Sequence, residues 1–247
     1  MISFSKADSD RFHLSVHRGV SEEFNLLGLN QYIAANNPDM LILRYAAETI
    51  EKHYLLKELN YDLLFADALV YYDINLKKLE TRPFRNALQF IEVQEGDLSK
   101  LREIVPIIFK EYKNHYFSNP ALSKEYILEG YIEWASNYVN SKQSDRKSWL
   151  VYKEDTLIGF ATCAMYANDN SCEGVLYGVH PEFAGGGVYT DIIRFTQNYF
   201  KEAGYDKMIV STQIQNYAVQ KVWQKEGFLI SKAYYTYHLM RKNHDSI

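Results

Sequence analysis

The sequence predicts an α/β or α+β fold built on a mixed sheet, and three observations carry that prediction. Short alternating apolar runs trade places with helical-period segments along the chain. A run from Cys172 to Val179 passes through three consecutive glycines, Gly185-Gly186-Gly187, into a strongly helical stretch. Glycines also close two helical patterns, at Gly204 and Gly227.

Taken in order, Asp8 to Val20 alternates weakly (Phe12, Leu14, Val16) and reads as a strand. Ser21-Glu22-Glu23 reads as a helix start, and that helix runs to about Ala35, where Asn36-Asn37-Pro38-Asp39 breaks it. Asp39–Tyr45 is a short buried strand. Ala46–Leu59 carries Ile50, His53, Tyr54 and Leu56 at helical spacing, and Tyr61–Asn75 alternates again as one long or bent strand. Residues 1–88 therefore read β-α-β-α-β. The mostly polar stretch from Leu76 to Pro83 reads as a linker. A second unit, residues 89–247, then orders β-α-α-β-β-β-α-β-α-β. Its helices are Asp97–Tyr112, Ser123–Tyr138, Gly187–Ala203 and Ala218–Gln224. Its strands are Phe90–Val93, Ser148–Lys153, Leu157–Tyr166, Cys172–Val179, Met208–Gln213 and Phe228–Met240, with a charged turn at Gln143–Lys147.

Length and composition bound the function. The 247 residues are enough for one large or two small domains, and 47% apolar with 23% charged residues is ordinary for a globular protein. A net charge of -4 argues against a general nucleic-acid binder. Twenty-one tyrosines offer stacking area and hydroxyls to a ligand, and serve a strand core equally well. Cys163 and Cys172 have no metal-site or disulfide spacing, so no metal is expected and a reducing cytoplasm fits. The first residues lack the apolar core of a signal peptide, and no apolar run is long enough to span a bilayer.

Strand, glycine turn and helix together present bare N–H groups and the positive end of a helix dipole to an anion. A P-loop would need a lysine after the glycines, and a dinucleotide fingerprint a third glycine at different spacing; neither is present. A plain tight turn explains the glycines equally well.

Two motifs in this order resemble the GNAT family of acyl-coenzyme A N-acyltransferases. The family's Val-x-Pro-x-x-Gln/Arg-Gly-x-Gly-x-Gly/Ala is matched by Val179, Pro181, Ala184, Gly185, Gly187 and Tyr189. Its second signature, an Asn, a Tyr seven residues on and then Gly-Phe, is matched by Asn216, Trp223 and Gly227-Phe228. The resemblance covers roughly residues 90–240. It implies a mixed, mostly antiparallel sheet flanked by helices, preceded by a smaller N-terminal unit. Within the family the chain looks most like the TDP-fucosamine acetyltransferase group. Asp8-Ser9, Phe12, Val16 and Arg18 are similar to the start of that group's extra unit, and Ala233 to Tyr237 to its last strand.

The resemblance implies a coenzyme A thioester as donor. Backbone N–H groups from Gly185 through Gly186, Gly187, Val188 and Tyr189 to Thr190 would hold its pyrophosphate, with Ala184 beside them. The strand edge Tyr177-Gly178-Val179 would bond the pantetheine amides, and Asn216 the other side of that arm. Val188 and Val219 would wall it. Asn216 reads equally as a plain helix cap. Ala184 and Tyr189 depart from the family pattern, which has Gln or Arg and a small residue there. Trp223 stands where the family often has a proton-donating Tyr; an indole hydrogen-bonds but gives up no proton near neutral pH.

The resemblance makes Glu173 the first candidate base. It lies six residues before Val179, on the same strand face by period two. His180 is the second candidate. As a strand-end acid and a loop histidine, both also read as solvated residues. The Val179 N–H would be the oxyanion donor. Tyr131, Trp134, Tyr166, Tyr234 and Tyr237 are acceptor-side candidates that also read as core. The implied activity is acyl transfer to the amine of a nucleotide-linked, dTDP-type amino-dideoxy sugar for bacterial surface polysaccharide such as lipopolysaccharide O-antigen. It would take place in the cytoplasm by direct attack, with a homodimer as the default assembly. An acyltransferase for a small amine, amino acid or peptide terminus, and a non-catalytic coenzyme A-binding regulatory module, are the competing readings.

Overall fold

The structure is a computed structural model and describes residues 1–139 and 145–242. In chain order it contains β1 (Ile2–Phe4), α1 (Lys6–Phe12), β2 (Val16–Ser21), α2 (Leu26–Asn36) and β3 (Met40–Ala46). A 3-10 segment (Ala47–Glu58) then leads to β4 (Tyr61–Asn75). After it come β5 (Gln89–Glu92), α3 (Leu98–Phe109), α4 (Glu125–Asn137), β6 (Arg146–Lys153), β7 (Thr156–Tyr166) and β8 (Ser171–Val179). The last elements are α5 (Val188–Glu202), β9 (Lys207–Gln213), α6 (Tyr217–Lys225) and β10 (Leu229–Arg241). From β4 onward these match the expected elements to within a few residues. Part of the expected turn at Gln143–Lys147 lies outside the described residues.

Three expectations near the N-terminus are corrected. Asp8 to Val20 is not one strand but the end of α1 followed by β2. The weak alternation there yields to a buried polar cluster, because Asp8 accepts from Ser5 Oγ (2.7 Å), Arg18 (3.0 Å) and the Tyr116 hydroxyl (2.6 Å). The next helix begins at Leu26 rather than Ser21, since Asn25 caps it by accepting from the Gly28 N–H (2.9 Å). Ala47–Glu58 forms 3-10 turns instead of an α-helix. Its buried residues His53, Leu56 and Leu59 recur every three positions, the period of that helix.

By its contacts the chain divides into two compact units. The first takes Met1–Val70, Lys113–Ile127 and the described residues from Lys232 onward; the second takes Tyr71–Tyr112 and Leu128–Ser231. A cut after residue 88 assumes two contiguous stretches, whereas here two later segments fold with the first unit. In the first unit β2 pairs parallel with β3, and β3 pairs antiparallel with β10 from Tyr234 to Met240. Leu29, Leu41, Leu43, Leu56, Leu59 and Leu239 form its core. Lys113–Ile127 is tied in by the Tyr116–Asp8 bond and by a buried pair of rings, His115 Nδ1 lying 2.8 Å from His238 Nε2.

In the second unit the strands run β9-β8-β7-β6-β5. The pairs from β5 to β8 are antiparallel, and β8 with β9 is parallel. A mixed, mostly antiparallel sheet results, as expected. Helices α3 and α5 cover opposite faces: a Cβ on Gly178 would meet Ile108 of α3, and one on Gly159 would approach Ile192 of α5. Among the described residues no helix is long and apolar enough to cross a membrane.

The Asp8 cluster generates a test of the first unit. Burial pushes the Asp8 carboxyl up, but Arg18, the Tyr116 and Ser5 hydroxyls and Arg11 outweigh it and hold it below 3.8. Its stabilisation is therefore present above the unfolded-state value and lost as pH falls toward the folded-state value. Asp8→Asn should cost about 2–3 kcal/mol near neutral pH, the scale of lost hydrogen bonds to a charge. In urea denaturation the gap to wild type should narrow as pH drops below 3.8. Equal stability at neutral pH would remove Asp8 from the fold's support.

Candidate functional site

The site begins where β8 loses its neighbours. Its parallel ladder to β9 covers Ser171 to Gly174. At the same point Thr162 of β7 pairs with Leu176 and Cys163 with Gly174, so Val175 has no partner on β7. This bulge re-aims the strand. The backbone of Leu176–Val179 then faces an opening where β9 would have continued, with N–H and C=O groups suited to an extended ligand.

A cavity of about 480 Å³ occupies this place. Tyr177, Gly178 and Val179 form its β8 side, and Ile108, Phe109 and Tyr112 its α3 side. Asn216, Val219 and Val222 face it from α6. Its far end is the glycine turn, with Ala184, Gly185, Gly187, Tyr189 and Thr190. Gly185 (φ 83°) and Gly187 (φ 86°) lie in the left-handed region, so the turn requires glycine at both. Gly187 stands at the N-terminus of α5 without a side-chain cap, which leaves the first N–H groups of a 15-residue helix to the cavity.

The presumed linker and the residues just after it run along α5, from its last turn to this end. Leu76 is fully buried, and the Leu79 carbonyl accepts from Lys201 Nζ. Asp191, in the first turn of α5 and fully buried, accepts from the backbone N–H of Arg85 (2.8 Å), that of Asn86 (2.9 Å) and Asn86 Nδ2 (2.8 Å). Asn86 Nδ2 also donates to the Gly186 carbonyl (3.1 Å). Arg194 forms a two-bond pair with Glu226 (2.8 Å each) and donates to the Pro83 carbonyl.

The cavity brings together ten of the residues singled out from sequence: Tyr177, Gly178, Val179, Ala184, Gly185, Gly187, Tyr189, Thr190, Asn216 and Val219. Asn216 also begins α6, but its side chain donates to Thr212 Oγ1 (3.0 Å) rather than capping the helix. Tyr177 turns its phenol to Cys163 Sγ (3.0 Å), and burial pushes the Cys163 thiol up to about 12. Burial likewise raises the Tyr189 phenol. Gly186 and Val188 do not border the cavity, and Val188 is buried against the core. Trp223 does not border it either: it is buried, edge-on to Tyr72 at 5.6 Å and near Phe228. Among the described residues its Nε1 makes no hydrogen bond of ordinary geometry.

Glu173 requires a correction. The period-two argument puts it on the face of Val179, but the bulge adds a residue between them. Glu173 pairs with Ala164 and Val179 with Gly159, and these two β7 positions face opposite sides. Glu173 therefore lies on the α3 face, where it accepts from the Tyr166 hydroxyl (2.6 Å), with Tyr138 near enough to feel its charge. His180 caps the turn Pro181–Phe183 through Nδ1 (3.3 Å from the Glu182 N) and does not border the cavity.

Of the acceptor-side aromatics, Tyr131 is buried and stacks on Phe109 (4.4 Å), whereas Trp134 and Tyr166 are each 43% exposed. Tyr234 and Tyr237 belong to the first unit, where they bond Glu22 and His53. Sequence reasoning missed Tyr112, Ile108 and Arg85. The first two looked like an ordinary apolar helix face, and Arg85 fell between the presumed linker, which ends at Pro83, and the next expected strand at Phe90.

The fold is shared with solved N-acetyltransferases. A GCN5-related N-acetyltransferase from Sphaerobacter thermophilus superposes with a TM-score of 0.61 at 11% identity, covering 94% of this chain and 75% of that one. Another from Kribbella flavida gives 0.61 at 13%, covering 93% and 83%. The sequence agrees, and it is more specific: residues 107–228 match the model of the Acetyltransferase (GNAT) family, and the chain carries that family's acetyltransferase domain. A curated relative, the spore coat polysaccharide biosynthesis protein SpsD of Bacillus subtilis (strain 168), is 24% identical over 147 residues. That match covers 59% of this chain and 48% of the relative, so the chain spans about half the length of the curated relative it matches.

Close packing at the cavity wall can be tested. A Cβ on Gly159 would lie 2.7 Å from the Gly178 carbonyl oxygen, a backbone atom that cannot swing aside. Gly159→Ala should force β7 and β8 apart and destabilise the protein by about 1–3 kcal/mol, as overpacking does. Chemical denaturation that shows no loss would contradict this approach of the two strands.

Proposed function

We propose that the chain is an acyl-coenzyme A N-acyltransferase acting on the amine of a nucleotide-linked amino-dideoxy sugar. The observation that supports the donor is the cavity itself. An opened strand edge runs into a glycine turn and an uncapped helix start, within the family-matched segment. A coenzyme A thioester has the matching parts: an amide-bearing arm for the strand edge and a pyrophosphate for the turn. When bound it supplies the activated acyl group. This chain's residues then bind and orient: Gly185, Gly187 and the α5 N–H groups at the phosphates, Tyr177 to Val179 and Asn216 along the arm, and the Val179 N–H at the developing oxyanion.

The acceptor rests on two supports, the polysaccharide-linked name of the curated relative and the chemistry around Glu173. An amine flanked by sugar oxygens titrates nearer an α-amino group (about 7.7–8.0) than lysine (about 10.4). A useful neutral fraction then exists at pH 7, and a single carboxylate suffices as base. Glu173 takes that role, oriented by the Tyr166 hydroxyl. The leaving thiolate resembles a cysteine thiolate, with a pKa of about 8.5, so it departs without an obligatory acid. The unit that holds the cavity, Tyr71–Tyr112 with Leu128–Ser231, would be the catalytic domain and the other an accessory unit, working in the cytoplasm where coenzyme A thioesters and nucleotide sugars meet.

Thiol release measured with an acyl-coenzyme A panel and a panel of dTDP-linked 3- and 4-amino sugars tests the whole reading. Release should depend on both substrates. Turnover with small amines or peptide termini but not nucleotide sugars would replace the acceptor, and donor binding with no acceptor-dependent release would favour a regulatory module. Glu173→Gln should lower kcat/KM about tenfold, below the usual range for general bases because the amine is already partly neutral, and flatten the acid limb of the pH profile. An unchanged profile would take Glu173 out of the mechanism.

A further inference from the structure

The family pattern has Gln or Arg at the position of Ala184, so this glycine turn lacks a long polar side chain of its own. Arg85 lies across the same turn from outside the family-matched segment. An ideal Cβ on Gly187 would meet Arg85 Cδ at 2.8 Å and Nη1 at 3.7 Å, so the arginine stem rests directly on the cradle glycine. Arg85 borders the cavity, and among the described residues no carboxylate pairs with its guanidinium. The position is fixed rather than incidental, because Asp191 holds the backbone N–H groups of both Arg85 and Asn86. Asn86 in turn donates to the Gly186 carbonyl, so the docked segment is bonded to the glycine turn itself.

We propose that Arg85 is the phosphate-binding side chain of the donor site, supplied by the docked 79–88 segment in place of the residue missing at Ala184. This rests on the reading of the cavity as a coenzyme A site. The guanidinium offers a planar fork of donors to the pyrophosphate held at Gly185 and Gly187, the geometry that favours arginine over lysine for phosphate oxygens. Lys225 also borders the cavity, but from the end of α6 and without a contact on the glycine turn.

Isothermal titration of the full chain with coenzyme A and with 3′-dephospho-coenzyme A tests it. Arg85→Ala should weaken both ligands by the same factor, roughly 10- to 100-fold for a charged hydrogen-bonding partner. Arg85→Gln keeps the stem and removes the charge; it should lose as much and melt with the wild type, which separates charge from packing. Arg85→Lys should recover only part of the loss. Wild-type affinity in Arg85→Gln overturns the proposal, as does a loss confined to coenzyme A, which would put Arg85 at the 3′-phosphate instead. A wild-type protein that binds neither ligand would overturn the donor reading itself, a result distinguishable from failure of Arg85 alone.

Discussion

Val175 has no partner on β7, and the ladder to β9 ends beside it at Gly174. These two interruptions at one point of β8 make the cavity. A regular strand would have continued pairing on both sides and left no backbone group for a ligand. Gly174 permits the distortion, since a Cβ there would sit 2.6 Å from the Tyr177 hydroxyl oxygen. That hydroxyl is itself tied to Cys163, so the irregular strand is clamped to β7 by a side-chain bond just where ladder bonds are disturbed. The same bulge exchanges the faces of the strand. Glu173 goes to the side of α3, while Tyr177 and Val179 stay on the side of α5.

The glycine-turn end of the cavity is built by a different device. A helix N-terminus offers partial positive charge but no fixed cation, and its reach ends within a turn. Asp191 turns that helix start into an anchor. As a carboxylate in the first turn it complements the dipole, and its two oxygens accept three donors from Arg85 and Asn86. The negative charge that might have repelled an anion is thereby buried and saturated, while the guanidinium one bond-length series away stays at the surface. The Arg194–Glu226 pair repeats this logic one turn further on. There a buried ion pair turns a further guanidinium donor to the Pro83 carbonyl, extending the docking of the segment.

How much of this could be read from the chain follows from which interactions are local. The strands and helices after residue 88 were legible because period, glycine caps and turn residues all lie within each element. The glycine turn, Asn216 and Val219 were legible because they fall in motifs of fixed spacing. Period two failed at Glu173, since a bulge is set by how β7 and β8 pack and leaves no mark in either strand's pattern. The linker failed for a similar reason. Leu76 to Pro83 is mostly polar and ends in a proline, but backbone groups in it and at Arg85 just after it bond Lys201, Arg194 and Asp191, all more than a hundred residues away. At the N-terminus the Asp8 cluster, drawing on Tyr116, overrode the local alternation.

Trp223 shows how one substitution divides the chemistry. The family's proton donor would reach from α6 toward the donor's sulfur; here the ring is edge-on to Tyr72 and near Phe228, with its Nε1 lacking a full hydrogen bond. Tyr189 feels that N–H as a hydrogen-bond donor, so burying it costs less than the about 1–3 kcal/mol of an orphaned donor. Burying an indole gains a comparable amount or more, because aromatic side chains bury 150–250 Å² at about 25 cal/mol per Å². The position has therefore moved from chemistry to core, and the balance makes that move stable. Without an acid at this position the thiolate has to leave unaided, which a thiol pKa of about 8.5 allows.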